Sequence, residues 1–513
     1  MPIWSRRRAS TDGKRRSDAF SQEEERRISA SLDDNLIELR KLFSNSSDFM
    51  VREISVAGQR IALLMCEAMV STAMFTELIV KPLTGGKVQL QEYTPQGLAD
   101  WIRYRSYLGN DQKELFRYKE IFSFIMSGFV VILIDGLDVC FSLGIQGYSF
   151  RSISEPDTEV NVRGSKEGFT EPIRVNMSLI RRRIKSPTLK FELLQTGKRS
   201  GTDICLVYLT DIVSPKILRE IQYRLSKVDL DILLDSGYLR PYFDSRRRSI
   251  FSGIGSTERP DVLCGKISEG RVGILVDGTP FALIIPYLFN ENFQSLDDYC
   301  YRPFYATFIR ILRYCSFLIS IYLPGLYVAI ATFHPEFFPE ALLFNIAAAE
   351  ESTPFPLMIE AVIIHLIFEI MREAGLRLPR PVGHAVGIVG ALVVGDAAVT
   401  AGLIGSPMVM VVALTAISSF VVPSIYEPVT IMRFSFILAG GFFGIFGITV
   451  ASLYFFISLS AVNIYGVVAT SPVSPFQKKD MRDVFTRVSW KKLSRRTMEV
   501  QNLPGSEVQQ REP

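Results

Sequence analysis

The sequence lacks the cysteine and histidine patterns on which many enzymes, metal sites and secreted domains depend. Its six cysteines are scattered without a CxxC pair, and four of them lie in or beside strand-like apolar runs. That distribution indicates small buried residues in a reducing compartment, not a disulfide framework or a zinc site. The three histidines are His334, His365 and His384. The first 300 residues therefore offer no Ser-His-Asp or Cys-His arrangement, and an enzyme is not expected.

Other common signals are also missing. The N-terminal stretch MPIWSRRRASTDGKRRSDAF is basic but contains no apolar h-region, so it is not a secretory signal. Residues 1–21 are predicted to be disordered, and the domain that follows is expected in the cytoplasm. The run GSKEG at 164–168 lacks the GxxxxGK[ST] spacing of a phosphate-binding loop, which argues against nucleotide hydrolysis. A net charge of +4 does not suggest nucleic acid as a partner, and no cofactor is predicted.

Polarity divides the chain into two large parts. A chain of 513 residues is too long for one compact core. The apolar excess lies beyond about residue 311, whereas the first 300 residues are as polar as an ordinary soluble domain. The predicted fold class is an α/β cytoplasmic N-terminal domain over 22–305, followed by an α-helical polytopic membrane domain over 306–470. Residues 471–513 form a basic tail, which favours the cytoplasmic, anionic side of a membrane.

Local patterns predict several elements of the N-terminal domain. Leucines at helical spacing predict an amphipathic helix within residues 22–43. Two apolar runs flank Ala57–Gln59, which predicts a hairpin with Gly58 in its turn. Ser214 as N-cap and Pro215 at the first helical position mark a later helix that follows the strand-like CLVYL. Strand–helix units are therefore expected in the second half of this domain.

Two segments of the N-terminal domain resemble each other. FVVILIDGLDVCFSLGI at 129–145 and RVGILVDGTPFALIIP at 271–286 each contain an apolar run, an Asp-Gly pair and a second apolar run. Asp-Gly is a strong signal for a two-residue hairpin turn, because a type I′ turn needs positive φ. The repetition suggests two related α/β subdomains. Two unrelated hairpins that use the same common turn would give the same pattern.

A basic run lies between these segments. A helix that starts near Glu171 is expected to present Arg181, Arg182 and Arg183. Together with Ser165 and Lys166 these arginines could bind phosphate. A solvated helix face or a subunit contact is the preferred interpretation.

The membrane half contains apolar runs of spanning length. Residues 314–333 form the first candidate span, and 357–374, 407–425 and 434–461 are the others. Residues 335–353 carry four Glu and no Lys or Arg, as an outside loop would.

The Gly-rich segment 383–405 is harder to place. If it crosses the membrane, the domain has five crossings and the basic tail lies outside, against the positive-inside rule. If it is re-entrant, four crossings leave the tail inside. The sequence favours the four-crossing topology.

Ionisable residues within these apolar runs are the best candidates for function, because charge in hydrocarbon is costly and usually faces an aqueous path or a bundle interior. The candidates for a pore or ion path are Glu360, His365, Glu369 and Asp396. The alternative is that they only hold the bundle together, for example by pairing with Arg372. A metal site at His365 and Glu369 is not predicted, since no third ligand is near in sequence.

Glycine and proline mark candidate hinges. The candidates for gating or a hinge are Pro324, Gly325, Gly387, Gly390 and Gly395. Pro324-Gly325 lies in the middle of the first span and predicts a kink, whereas the other three glycines fit helix packing better than a conduction filter. The last apolar run contains GGFFGIFG, whose small residues allow close helix approach.

Several long motifs together resemble one family. SISEPDTEVNVRGSKEGFTEPIRVNMSLIRRR, STERPDVLCGKISEGRVGILVDGTPFALIIP and DDYCYRPFYATFIRILR are similar to the A subunits of GerA-type spore germination receptors. PFPLMIEAVIIHLIFEIMREAGLRLP and GHAVGIVGALVVGDAAVTAGLIGSPMVMVVALTAISSF extend the resemblance, which covers roughly residues 25–470. Asp396 and Thr400 stand where many members carry Gln and Glu, so ion selectivity does not transfer in detail.

The resemblance implies a function. The A subunits of this family are thought to oligomerise around an ion pore, such as a pentamer-like ring, in the spore inner membrane. Their expected partners are a transporter-like B subunit, which takes the nutrient, a lipoprotein C subunit and membrane lipids. The chain is thus expected to form a germinant-gated cation channel. The alternatives are a non-conducting membrane scaffold for the B subunit, or a channel that amplifies germination without answering nutrients itself.

Overall fold

The structure is a computed structural model. It describes residues 26–44, 46–67, 69–84, 93–104, 111–147, 156, 158–159, 161–244, 249–378, 395–476 and 480–489. The predicted disordered segment 1–21 and the candidate hinges Gly387 and Gly390 lie outside the described residues.

The first α/β unit is built around a five-stranded antiparallel sheet of order β1-β2-β4-β5-β3. The β2 and β4 strands in its centre are apolar and buried, as expected for strands covered on both faces. A π-helical turn, Thr76–Val80, joins α2 to α3. The elements are α1 Leu32–Leu42, β1 Phe49–Val56, β2 Gln59–Cys66, α2 Thr72–Phe75, α3 Lys81–Thr84, α4 Pro95–Tyr104, β3 Gln112–Leu115, α5 Tyr118–Ile125, β4 Phe129–Ile134 and β5 Cys140–Gly144.

The second α/β unit has the same topology. Its five-stranded sheet has the order β6-β7-β9-β10-β8, which matches the first sheet strand for strand. Its elements are α6 Ile173–Arg183, β6 Leu189–Thr196, β7 Thr202–Leu209, α7 Pro215–Leu225, α8 Arg240–Phe243, β8 Gly255–Thr257, α9 Pro260–Ser268, β9 Val272–Val276, β10 Ala282–Ile285 and α10 Asp297–Cys300.

The local sequence signals mostly formed the predicted elements. The leucines of the first amphipathic helix are buried, although α1 begins at Leu32, later than predicted. Ala57 and Gly58 both have positive φ, 51° and 83°, so the β1–β2 hairpin has the predicted tight turn. The Ser214 side chain accepts from Ile217 N and caps α7, with Pro215 at its first position.

The two Asp-Gly pairs do not form two-residue turns. Residues 135–139 separate β4 from β5, and residues 277–281 separate β9 from β10. Only the two glycines have positive φ, 90° at Gly136 and 87° at Gly278. A type I′ turn needs positive φ at both central residues, so this prediction was wrong.

Each aspartate of these pairs instead caps a helix. Asp135 Oδ1 accepts a hydrogen bond from Leu32 N at 3.0 Å, at the start of α1. Asp277 Oδ1 accepts from Ile173 N at 2.9 Å, at the start of α6. Carboxylates stabilise helix N-termini, where backbone N–H groups lack intrahelical partners. The same capping contact therefore occurs at equivalent positions of both units.

The rest of the chain is helical. Its helices are α11 Pro303–Phe333, α12 Glu340–Glu351, α13 Leu357–Arg377, α14 Gly395–Thr400, α15 Ser406–Phe420 and α16 Tyr426–Ser460. Two described segments, Pro303–Phe333 and Pro423–Ser460, are long and apolar enough to cross a membrane. A two-stranded hairpin, β11 Asn463–Ile464 and β12 Val467–Val468, follows them.

Three boundaries in this region differ from the prediction. The first helix begins at Pro303 and not near residue 314. The predicted acidic loop contains α12, of which only Ile346 is buried. The last helix begins at Tyr426 and not at residue 434. Hydropathy located the apolar runs correctly. The first and last helices extend beyond these runs and include charged residues, Arg310 and Arg433, that have ion-pair partners.

Glycines let α11 and α16 approach closely. A Cβ on Gly325 would lie 2.7 Å from the carbonyl oxygen of Phe436, and one on Gly440 would lie 2.5 Å from that of Gly325. Close approach through the GGFFGIFG run is thereby confirmed. The helical conformation of α16 is interrupted at Gly444, with φ 58° and ψ −146°, a region that side chains other than glycine rarely adopt.

The second α/β unit packs directly on the helices. One hydrophobic cluster contains its residues Ile274 and Leu283 together with residues of α11 and α16. The rings of Phe251 and Phe455 lie 5.3 Å apart. The β11–β12 hairpin adds a polar contact, because the Tyr465 hydroxyl donates to the Phe243 carbonyl at 2.8 Å.

Candidate functional site in the helical region

Glu369 lies at the centre of a polar network between α13 and α16. Its carboxylate accepts from the Tyr426 hydroxyl at 2.7 Å and pairs with Arg433 at 3.2 Å and with Arg372 at 3.0 Å. The Arg372 guanidinium also lies 3.9 Å from the centre of the Tyr426 ring. Two cations and a hydroxyl thus satisfy this carboxylate within one chain, as expected of a group that joins helices.

His365 and Arg433 are buried next to this network. Both are fully buried, and the Arg433 Nε donates to the Ser320 carbonyl at 3.0 Å. Both ring nitrogens of His365 and one terminal nitrogen of Arg433 have no partner within the described part of the chain. Sequence reasoning missed Arg433, because it was assigned to the loop before the last span. An arginine within an otherwise apolar run was the available signal.

Glu360 is placed apart from that network, on the first turn of α13. It is 1% exposed, and its Oε1 accepts from Gly405 N at 2.7 Å. Gly405 is the N-cap of α15, so the carboxylate satisfies one of the free N–H groups of that helix. The other oxygen, Oε2, is buried and has no partner among the described residues.

Asp396 and Gly395 lie on the short helix α14, between α13 and α15. The Asp396 side chain is exposed, so the structure does not bring it together with Glu369 and His365. For Gly395 the backbone alone is described, and its role as a hinge stays a prediction.

Pro324 lies inside α11, and the helix continues on both sides of it. Gly325 lies where α11 and α16 approach closely. The kink at Pro324-Gly325 stays a prediction. A non-helical residue interrupts α16 at Gly444, which sequence reasoning did not name as a hinge candidate.

A second ionic cluster joins the helices to the α/β domain. Arg310, which is fully buried, pairs with Asp298 at 3.1 Å and with Asp483 at 2.9 Å. The Tyr299 hydroxyl also donates to Asp483, at 2.6 Å. The start of α11, the last helix of the second unit and the C-terminal segment therefore meet at one guanidinium. In the sequence, Arg310 and Arg313 precede the first candidate span, but their carboxylate partners lie elsewhere in the chain and were not predicted.

The arginines of the basic run in α6 form ion pairs within the α/β domain. Arg181 is 1% exposed and pairs with Asp48 at 2.8 Å, across the boundary between the two units. Arg182 and Arg183 both pair with Glu167. The expectation that all three arginines are presented to solvent was wrong. Arg181 is buried, and Arg182 and Arg183 are occupied by Glu167.

A half-buried acidic side chain, Glu159, lies against β8 of the second α/β unit. Glu159 Oε2 accepts from the Thr257 hydroxyl at 2.6 Å. Burial raises the pKa of this carboxyl group to about 7, because desolvation disfavours its charged form. Glu159 therefore titrates near neutral pH in the second α/β unit.

Comparison with known proteins identifies the family. The model of the Bacillus/Clostridium GerA spore germination protein family matches residues 37–499. The chain belongs to this family. Spore germination protein KA of Bacillus subtilis (strain 168) is 40% identical over 503 residues, which cover 96% of this chain and 92% of that protein. Spore germination protein GerLA of Bacillus cereus is 36% identical over 455 residues, which cover 88% and 92%.

A solved structure matches the N-terminal half of this GerA-family chain. It is the N-terminal domain of the A subunit of the Bacillus megaterium spore germinant receptor GerK3, with 29% sequence identity and a TM-score of 0.39. The match covers 52% of this chain and 98% of the solved one. The family resemblance inferred from the motifs is confirmed by the family match and the relatives. The same relatives are named as spore germination proteins, which confirms that the chain is not an enzyme.

Proposed function

We propose that this GerA-family chain is the A subunit of a germinant receptor and assembles into a homo-oligomeric, germinant-gated cation channel in the spore inner membrane. Its partners are a transporter-like B subunit, a lipoprotein C subunit and membrane lipids. Four crossings, by α11, α13, α15 and α16, leave the α/β domain and the basic tail on the cytoplasmic side. The shortest of them, α15, has 15 residues, so local thinning or protein packing must cover its ends.

One observation carries the channel proposal: acidic groups that do not serve the internal network persist beside the membrane helices. Asp396 is exposed on a short helix between two of them, and one oxygen of Glu360 lacks a partner among the described residues. A carboxylate that lines an aqueous path attracts cations and costs less than one in contact with lipid. Several copies are needed if the path is wide, since the four helices of one chain are too few to enclose a wide path.

The distribution of charge also favours a second function. Glu369 and its cations are satisfied within one chain, and a bundle held together in this way could serve as a scaffold. We therefore assign Glu369 to the structure of the bundle and retain Asp396 and Glu360, with His365 as a buried neighbour, as candidates for the path. In the scaffold interpretation another subunit conducts.

Potassium release from liposomes that contain the full-length chain, alone or with its B and C partners, separates these functions. We expect release from the wild type and about tenfold slower release from Asp396→Asn at normal abundance. Glu369→Gln should instead lower abundance, because it leaves buried cations unpaired. The absence of release from every wild-type preparation, with the B and C partners included, would favour the scaffold.

A further inference from the structure

An apolar cavity lies against the first turns of α13. Its volume is about 480 Å³, and it is lined by side chains of α13, by Phe355 and by residues 397–404. Ile363, Ile367 and Ala401 are typical of its walls, and Glu360 is the one ionisable residue among the described residues of the lining. Cavities that bind small ligands commonly measure about 300–1,000 Å³ and combine apolar walls with a few polar groups.

Glu360 supplies a polar group with spare capacity. Its Oε1 is engaged by Gly405 N at 2.7 Å, whereas its Oε2 is buried and lacks a partner in the described ranges. An ionised carboxylate can accept about four hydrogen bonds, and a buried acceptor without a partner carries a desolvation cost. A donor that enters the cavity and reaches Oε2 would remove that cost.

We propose that this cavity binds a small organic cation, a primary ammonium group attached to a compact apolar body. The ammonium group would donate to Glu360 Oε2 and neutralise the carboxylate, and the apolar body would fill the space between Ile363, Ile367 and Ala401. This chemistry matches both features of the site. A buried charge is tolerated where a partner of opposite charge also forms hydrogen bonds to it.

Two other occupants fit less well. An inorganic cation such as Ca²⁺ needs about six to eight oxygen ligands. No group of three or more acidic, histidine or cysteine side chains suited to a metal ion occurs in the described part of the chain. A lipid acyl chain would fill the apolar volume but leave Oε2 without a donor. Ligand binding here does not require ion conduction. The proposed binding site and the proposed channel function can therefore be disproved independently of each other.

The test uses two probes that differ in charge. The full-length chain in lipid nanodiscs is titrated with 4-fluorobenzylammonium and with 4-fluorobenzyl alcohol, and binding is followed by ¹⁹F NMR line broadening against empty nanodiscs. The probes share an apolar ring, so partition into lipid is measured by the alcohol and by the empty discs. We expect the ammonium probe to bind at least tenfold more tightly than the alcohol.

Three variants test whether the probes bind in this cavity and whether Glu360 contributes. Glu360→Gln keeps the size of the side chain and should lower affinity for the ammonium probe to that of the alcohol. Ala401→Phe adds bulk to the cavity wall while keeping Glu360 in the sequence, and it should weaken both probes. Glu373→Gln removes an exposed carboxylate on the same helix, one that pairs with Arg377, and should change neither.

Several results would overturn the proposal. Equal binding of the two probes to the wild type would remove the role of the carboxylate. Unchanged binding in Ala401→Phe would place the probe elsewhere, in the lipid or on another surface. If Glu360→Gln does not fold, Ala401→Phe and the pair of probes still decide the question.

Discussion

The two α/β units have the same strand order, yet among the described residues only the hydrophobic core of the second unit continues into the helices. The two apolar clusters of the first unit contain residues between 28 and 145 only. In the second unit one face of the sheet packs on α6 and α9. The cluster on its other face extends into α11 and α16. The shared strand order therefore does not decide how a unit packs on the helices; the apolar residues on the helix-facing side of the second sheet do.

Both units repeat one capping arrangement at the start of their first helix. The side chain of Asn35 accepts from Ser29 N at 2.8 Å and donates to the Ser29 carbonyl. Asn176 accepts from Thr170 N, also at 2.8 Å, and donates to the Thr170 carbonyl. The units therefore agree in detail where they form their own interiors. They differ at the ionic cluster around Arg310: the second unit contributes Asp298 to it, and the first unit contributes none of the residues named there.

The largest effect is expected where the second unit meets the helices. Arg310→Met should destabilise the chain by about 3–5 kcal/mol, because it leaves the buried Asp483 without its cation and leaves Asp298 with Arg313 alone. We expect a lower thermal unfolding temperature of the detergent-solubilised full-length chain and faster proteolysis near residues 298–303. The matched control is Arg60→Met in the first unit, where the pair with Asp33 is exposed and contributes little to stability, because solvent screens it. Equal effects of the two substitutions would contradict the difference between the units.

A smaller effect is expected from the repeated asparagines. Asn35→Ala and Asn176→Ala should each cost about 2 kcal/mol, since each side chain is 1% exposed and leaves buried backbone groups unpaired. Hydrogen–deuterium exchange should increase near residues 29–36 in the first variant and near 170–177 in the second. Asn463→Ala, in the β11–β12 turn, serves as a control outside both units. Faster exchange in both units from either substitution would show that they do not open separately.

The sequence predicted those features that depend on near neighbours in the chain. The Ser214 cap of α7 and the Ala57-Gly58 turn each need only a few consecutive residues, and both formed as expected. The Asp-Gly prediction failed because each aspartate caps a helix more than 100 residues away. Similarly, Arg433 lies within a helix because it meets Glu369 and the Ser320 carbonyl, partners that no local pattern reveals.

The candidate site shows the same limit. Charge within an apolar run located α13 and all three of its candidate residues. The pattern could not separate Glu369, which two arginines neutralise, from Glu360, which keeps an oxygen without a partner among the described residues. Helical spacing in the sequence predicts on which face of its own helix a side chain lies. Whether that side chain finds a partner depends on which helix packs against that face, and the local sequence does not reveal this.

The smallest expected effect is a pH dependence that belongs to the second unit. Burial raises the pKa of Glu159 from its ordinary value of 4.5 to about 7. Between these two values the folded state keeps a proton that the unfolded state has released. The contribution of Glu159 to stability is thus fully present below about pH 4.5 and is lost as pH rises through 7. We expect this loss to amount to about 1 kcal/mol. One pKa unit corresponds to about 1.4 kcal/mol, but relaxation and the solvent that reaches this half-buried carboxyl group reduce the effect.

Glu159→Gln tests this directly, because it keeps the hydrogen bond from Thr257 and removes the titrating group. The unfolding temperature of the full-length wild type, measured from pH 5 to pH 8, should fall relative to that of the variant as pH rises. The difference between the two curves cancels the titration of all other groups, which the variant retains. Asp33→Asn in the first unit is the control: Arg60 lowers the pKa of the exposed Asp33 carboxyl group, so this substitution should leave the slope between pH 5 and pH 8 unchanged. Parallel curves for the wild type and Glu159→Gln would mean that Glu159 is already ionised at pH 5, and the second unit would then lose its distinct response to pH.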